Sequence, residues 1–215
     1  MRKRLLLFIA SLLCFASMAS ADAITYVVTV STSSITGTAG SLDFNFNPGP
    51  LVTQAASLQM LGFSSDGSLA VGPTLTGDVS GALPSTVTFD NGTGFNDYFQ
   101  GFTYGSTLSF DVSLYGPALT SPNGTSTSGS TFAFSMFSDA AGTLPVLTNN
   151  VTEGFAVTID VNLDGTTTLT NFSPETTASV SPEPNSVVLI GTATALMGAL
   201  LRFKRRLRAP TPDPP

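Results

Sequence analysis

From residue 23 to about residue 177, Val, Ile, Leu and Phe alternate with Ser, Thr, Gly and Asn, and Gly, Pro and Asn interrupt the pattern often. A period of two puts successive side chains on opposite faces of a pleated strand, so the pattern predicts many short antiparallel strands. Residues 24–31 set Ile24, Tyr26, Val28 and Val30 on one face, and residues 41–47 alternate strictly as Ser-Leu-Asp-Phe-Asn-Phe-Asn before Pro48-Gly49-Pro50 stops them. Residues 55–63 fit a strand or a helical turn equally. Asp66-Gly67 then predicts a turn. Residues 75–79 and 85–90 read as short strands separated by Gly81 and Pro84, and residues 91–94 as a tight loop. Residues 95–104 are rich in aromatic side chains. Residues 107–115 alternate again, with Leu108, Phe110, Val112 and Leu114 on one side, and residues 121–130 form a polar, glycine-containing loop. Residues 131–137 point Phe132, Phe134 and Met136 inward. Residues 155–163 and 166–172 make the clearest hairpin, joined at Asp164-Gly165. About ten strands at this spacing predict an all-β fold: an antiparallel β-sandwich of jelly-roll-like type over residues 22–172. No helix of ordinary length is predicted inside it.

The two ends break the pattern. Residues 173–185 turn Pro-, Ser-, Thr- and Glu-rich, which predicts a linker. Residues 186–201 are a 16-residue run without a charge, and Arg202, Lys204, Arg205, Arg206 and Arg208 close it before the tail at residues 209–215. At about 1.5 Å per residue such a helix covers about 24 Å of an apolar layer about 30 Å thick; Phe203 and snorkelling arginines extend it. A single C-terminal transmembrane helix over residues 186–208 is therefore expected. At the other end, Arg2, Lys3 and Arg4 precede an apolar stretch, and Ala19-Ser20-Ala21 precedes Asp22. This predicts a secretory signal peptide over residues 1–21, with Ala19 and Ala21 as the small residues of its cleavage site. The competing reading, an uncleaved anchor, has a run short for a span. Cys14 is the sole cysteine, so the mature chain has no thiol and no disulfide.

Pro182-Glu183-Pro184, the apolar run and the basic cluster stand in an order that resembles the C-terminal sorting signal of PEP-CTERM proteins of bacteria. The resemblance implies that an exosortase, a membrane protease-transpeptidase, recognises Pro182, Glu183 and Pro184, removes the anchor and passes the protein to the cell surface. In that family the basic cluster usually lies nearer the chain end than here. The alternative is an ordinary membrane tail with a chance Pro-Glu-Pro. The body is also similar to a group of PEP-CTERM proteins through stretches such as residues 40–50 (Gly-Ser-Leu-Asp-Phe-Asn-Phe-Asn-Pro-Gly-Pro) and residues 90–102. That likeness implies no activity, only a surface or matrix role beside exopolysaccharide or biofilm. The expected course is an exported, transiently membrane-anchored precursor that ends at the cell surface or outside the cell.

Charge sharpens this. All 8 basic residues lie in the first four positions or after Leu201, whereas all of the 14 acidic residues except Asp213 lie between. Such a body offers no basic patch for phosphates, so nucleic acid is excluded as a partner. The chain has no histidine, and between residues 5 and 201 it has no lysine. Ser-His-Asp, Cys-His and Ser-Lys nucleophile systems are therefore impossible in the mature body, as are histidine or thiolate zinc sites. Carboxylates remain. Asp90 and Asp97 flank the aromatic stretch, and Tyr98, Phe99, Phe102 and Tyr104 are candidates to stack on sugar rings. This leaves a carbohydrate-binding module or a carboxylate glycosidase as alternatives to a non-enzymatic surface protein. The competing assignment puts these aromatic residues in the core and Asp90 at a turn. Asp160-Val-Asn162-Leu-Asp164-Gly165 matches the first half of a calcium loop, but position twelve is Asn171 rather than a bidentate glutamate, and an Asp-Gly hairpin is the simpler reading. No other cofactor is expected. Asn91, Asn123, Asn150 and Asn171 each begin an Asn-x-Ser/Thr triplet, as chance allows in so Asn- and Thr-rich a chain.

Overall fold

Strict alternation produces two inner strands of the first sheet. In β1 (Ile24–Ser31) Tyr26, Val28 and Val30 are buried while Thr25, Val27 and Thr29 face out. β9 (Thr107–Tyr115) pairs with it antiparallel over eight residues and buries Leu108, Phe110, Val112 and Leu114. These bounds are the ones the sequence pattern predicts. The computed structural model describes residues 23–181. Ala19 and Ala21 of the predicted cleavage site, the Pro182-Glu183-Pro184 signature, the apolar segment, Arg202, Lys204, Arg205, Arg206, Arg208 and the tail lie outside the described residues. Among the described residues no helix is long and apolar enough to cross a membrane.

The chain is all-β, with two packed antiparallel sheets. β2 (Ala39–Pro48), β3 (Ser57–Ser65), β4 (Ser68–Leu69), β5 (Thr74–Thr76), β6 (Val79–Gly81), β7 (Val87–Asp90) and β8 (Asp97–Thr103) lie between β1 and β9. After β9 come a four-residue helix, α1 (Pro117–Thr120), then β10 (Ser130–Phe137), β11 (Phe155–Val161), β12 (Thr167–Asn171) and β13 (Thr176–Val180). The first sheet runs β13-β1-β9-β3-β7-β6; the second runs β12-β11-β10-β2-β8-β4, with β5 also on β8. Pairing is nested: β1 takes β9, β2 takes β8 and β3 takes β7, so partners far apart in sequence close around those between them. The loop 138–154 departs from this order and hydrogen-bonds back to the end of β10, Ser138 N to Leu144 O and Val146 N to Met136 O, both at 2.9 Å.

The core lies between the sheets and is organised by phenylalanines. Phe110 of the first sheet meets Phe44 and Phe134 of the second at ring-centroid distances of 5.2 and 5.0 Å, both edge-on. Phe44 and Phe134 stack on neighbouring strands at 4.9 Å. Edge-to-face rings with such spacings are favourable beyond the area they bury. At one end, Asp66 of the Asp66-Gly67 turn accepts hydrogen bonds from the backbone N–H groups of Ser106 and Thr107 and from the Ser106 hydroxyl. It thereby ties the β3–β4 corner to the β8–β9 corner. These bonds to the ionised form hold Asp66 low, at about 2.

Two expectations are corrected and an open one is decided. Residues 75–79 are not one strand: Gly77, at φ 73°, turns the chain between β5 and β6, and a Cβ there would come within 2.1 Å of the Phe95 carbonyl. The stretch 55–63, left open by the pattern, is strand from residue 57 on, as part of β3. The linker expected over residues 173–185 begins instead with β13, which pairs with β1 from Tyr26↔Val180 to Val30↔Thr176. Without it the backbone of β1 would be left as a long unpaired edge, and Thr176 and Ala178 turn toward the core rather than into solvent.

Candidate functional site

The predicted sugar contacts do not assemble. Tyr98 is 0% and Tyr104 1% exposed, so neither ring has a free face for a ligand. Each is turned inward by the alternation of the aromatic stretch, and each phenol is used internally. Tyr98 accepts from the Leu83 N–H at 2.9 Å and donates to Gln100 Oε1 at 3.1 Å. Tyr104 donates to the Ser41 carbonyl at 2.8 Å and accepts from the Phe137 N–H at 3.2 Å, and burial pushes its phenol well above the ordinary range. Asp90 and Asp97 do not form a pair either. Phe89 and Tyr98 point into the core, so Asp90 on β7 and Asp97 on β8 project from opposite sheets. Asp90 is exposed and accepts a hydrogen bond from the Ser57 hydroxyl.

The calcium-like sequence is a hairpin. Asp160 accepts from the Thr131 hydroxyl at 2.6 Å, Asn162 donates to the hydroxyls of Thr166 and Thr168 at 3.0 Å each, and Asp164 accepts from Thr166. Those last bonds hold Asp164 below its usual value and close the β11–β12 turn. Each candidate ligand already has a neighbour that accounts for its orientation.

A different constellation emerges on the outer face of the second sheet. Because β2 sends Leu42, Phe44 and Phe46 inward, Asp43, Asn45 and Asn47 take its other face. β8 pairs so that Asn45 stands opposite Asp97 and Asp43 opposite Phe99. Asp43 and Asp97 are then diagonal neighbours on one face, within reach of each other's side chains. Each carboxyl affects the ionisation of the other, and Asn45 Nδ2 donates to Asp43 Oδ1 at 2.8 Å. Burial, then the Asp97 carboxyl beside it, push Asp43 up to about 8, against the opposing effect of Asn45. Burial raises Asp97 as well, while its bond to Asp43 works the other way. Two neighbouring carboxyls resist ionising together, which adds to the burial that holds Asp43 above the ordinary carboxylate range.

Two oxygens of the group stay unsatisfied. Asn45 Oδ1 and Asp97 Oδ1 are buried and have no hydrogen-bond partner, although buried polar atoms nearly always find one. Asn45 itself is only 8% exposed. Asn45 also borders an open depression lined by Asn47, Phe95, Thr131, Ala133 and Phe155. Asp97 was legible as a candidate from its place beside the aromatic stretch; Asp43 was not. The signal for Asp43 was its position as the acidic member of a strictly alternating strand, but its partner could be found only once β2 and β8 were known to be neighbours.

The fold and this group define an acidic, two-sheet β body with paired carboxyls on one outer face and no basic side chain to oppose them. Comparison with protein-family models, with curated proteins and with solved structures gives no match for the chain.

Proposed function

We propose that this is a non-enzymatic, exported protein of the cell surface or extracellular matrix, delivered by an exosortase-type system. The observation that carries the reading is the order of the chain's end: Pro182-Glu183-Pro184, then a 16-residue uncharged run, then five basic residues. Leader and anchor frame a β body of jelly-roll type, a reading supported by the nested pairs β1/β9, β2/β8 and β3/β7. The absence of any histidine, lysine or thiol between Asp22 and Leu201 suits a body that is displayed rather than one that turns over a substrate. Exopolysaccharide is the surrounding polymer the resemblance implies. Replacing Pro182-Glu183-Pro184 by Ala-Ala-Ala in the host should leave the protein in the membrane fraction with its anchor attached. Release to the surface at the wild-type level would refute the sorting role of the signature.

A carbohydrate-binding module is the second reading, and the depression bordered by Asn45, Asn47, Phe95 and Phe155 favours it over the buried tyrosines. Phe95, 53% exposed, is the ring a sugar would meet. Glycan-array binding lost in Phe95→Ala would support this reading, and no binding to any glycan would remove it.

A further inference from the structure

Two carboxyls packed side by side on a sheet need a counter-charge, and this chain cannot supply one. No Lys, Arg or His occurs between residues 5 and 201, so no side chain of the body can form an ion pair with Asp43 or Asp97. Either a proton neutralises the pair or something from outside does. The distinguishing observation is Asn45. Its amide nitrogen is engaged by Asp43 at 2.8 Å, its oxygen is buried without a partner, and it stands opposite Asp97 in the β2–β8 register. A shared proton between the carboxyls would leave that amide oxygen unsatisfied. It would leave Asp97 Oδ1 in the same condition, since that atom also lacks any partner. A positive ion touching both oxygens satisfies them and offsets the charge in one step.

We propose that Asp43, Asp97 and Asn45 form a binding site for a hard divalent cation of the calcium class. The donors are all oxygen: carboxylate oxygens of Asp43 and Asp97 and the amide Oδ1 of Asn45. Hard, oxygen-only sets suit calcium or magnesium and not the thiolate- or imidazole-seeking metals. Water completes the shell, because three side chains cannot fill six to eight positions. A partly hydrated site with two charged ligands belongs with the weak extracellular calcium modules, with Kd of about 10⁻⁴ to 10⁻³ M. The cation would fasten β2 to β8 from the outside, where two like charges stand on neighbouring strands of the sheet. This site is separate from the Asp160-Asn162-Asp164 hairpin.

The test uses the mature protein purified from its host, stripped with chelator and held at one pH and ionic strength. Calcium and magnesium are titrated separately, with heat of binding and thermal midpoint as readouts. With Kd near 10⁻⁴ M, 10 mM calcium should raise the midpoint by about 5–10 °C. Asp43→Asn and Asp97→Asn should abolish the heat of binding and the shift, whereas Asp160→Asn should keep both. Should either carboxylate variant fail to fold, Asn45→Ala, which leaves both charges in place, should weaken binding at least tenfold. Absence of binding to the wild-type protein would overturn the proposal. So would binding that survives unchanged in folded Asp43→Asn, or binding lost only in Asp160→Asn.

Discussion

Phe110 is the side chain on which the packing of one sheet against the other most depends, and Phe110→Ala shows how much. The ring is 1% exposed and meets Phe44, Phe132 and Phe134 of the opposite sheet at 5.2, 6.5 and 5.0 Å. Truncation opens a cavity of up to about 100 Å³; at about 24 cal/mol per Å³ that costs about 2.4 kcal/mol. The lost transfer of the apolar ring adds about 2 kcal/mol. Together these give about 4–5 kcal/mol, the upper part of the range for Phe→Ala in a core, as suits a ring with three aromatic neighbours. Against a total stability of about 5–15 kcal/mol this is a large fraction. The chain has no tryptophan, so urea unfolding of the mature protein is best followed by far-UV circular dichroism. With a slope of about 2 kcal/mol per M, the midpoint should fall by about 2 M. Phe95→Ala, at a 53% exposed ring, should change stability by less than about 0.5 kcal/mol. If the two variants lose the same small amount, the sheets do not pack through Phe110 and the core described above is wrong.

Two further predictions concern polar groups. The hydrogen bonds from Ser106 and Thr107 hold Asp66 at about 2, below its unfolded value. A depressed carboxylate contributes stability above the unfolded pKa of about 4 and loses it as pH falls through the folded one. Asp66→Asn should therefore lower stability above pH 5, with the difference from wild type shrinking as pH falls from 4 to 2, and an acid limb identical to wild type would refute the tie between the corners. Tyr104→Phe removes the acceptor of the Phe137 N–H and the donor to the Ser41 carbonyl. It should cost about 1–3 kcal/mol in urea unfolding without altering the circular dichroism spectrum, because the ring still fills its place beside Phe102.

What the sequence made legible follows from where the alternation is clean. β1 and β9 alternate without a break, and their bounds could be read directly. β3 could not, because its register slips between Leu61 and Ser64 where it passes β9, which blurs the period. β13 reads as linker because Thr-Thr-Ala-Ser-Val is polar and follows a proline; its place comes from backbone pairing with β1, which the composition of an edge strand does not reveal. The aromatic stretch was correctly identified as dense in rings, yet alternation alone does not say which face is the core. Tyr98 and Tyr104 therefore looked accessible while Phe95, at the edge of the outer depression, is the exposed one. Asp43 was invisible as a site for a related reason: its meaning depends on Asp97, a strand partner far along the chain. The nested topology determines that partner, and no local motif encodes it.

The central claim, that the chain's end is an address removed after delivery, is tested most directly by intact mass spectrometry of the protein isolated from the surface of its host. The account predicts a mass that starts at Asp22 and ends near Pro184, plus any attached group. A mass that includes residues 185–215 in the surface-exposed form would contradict it.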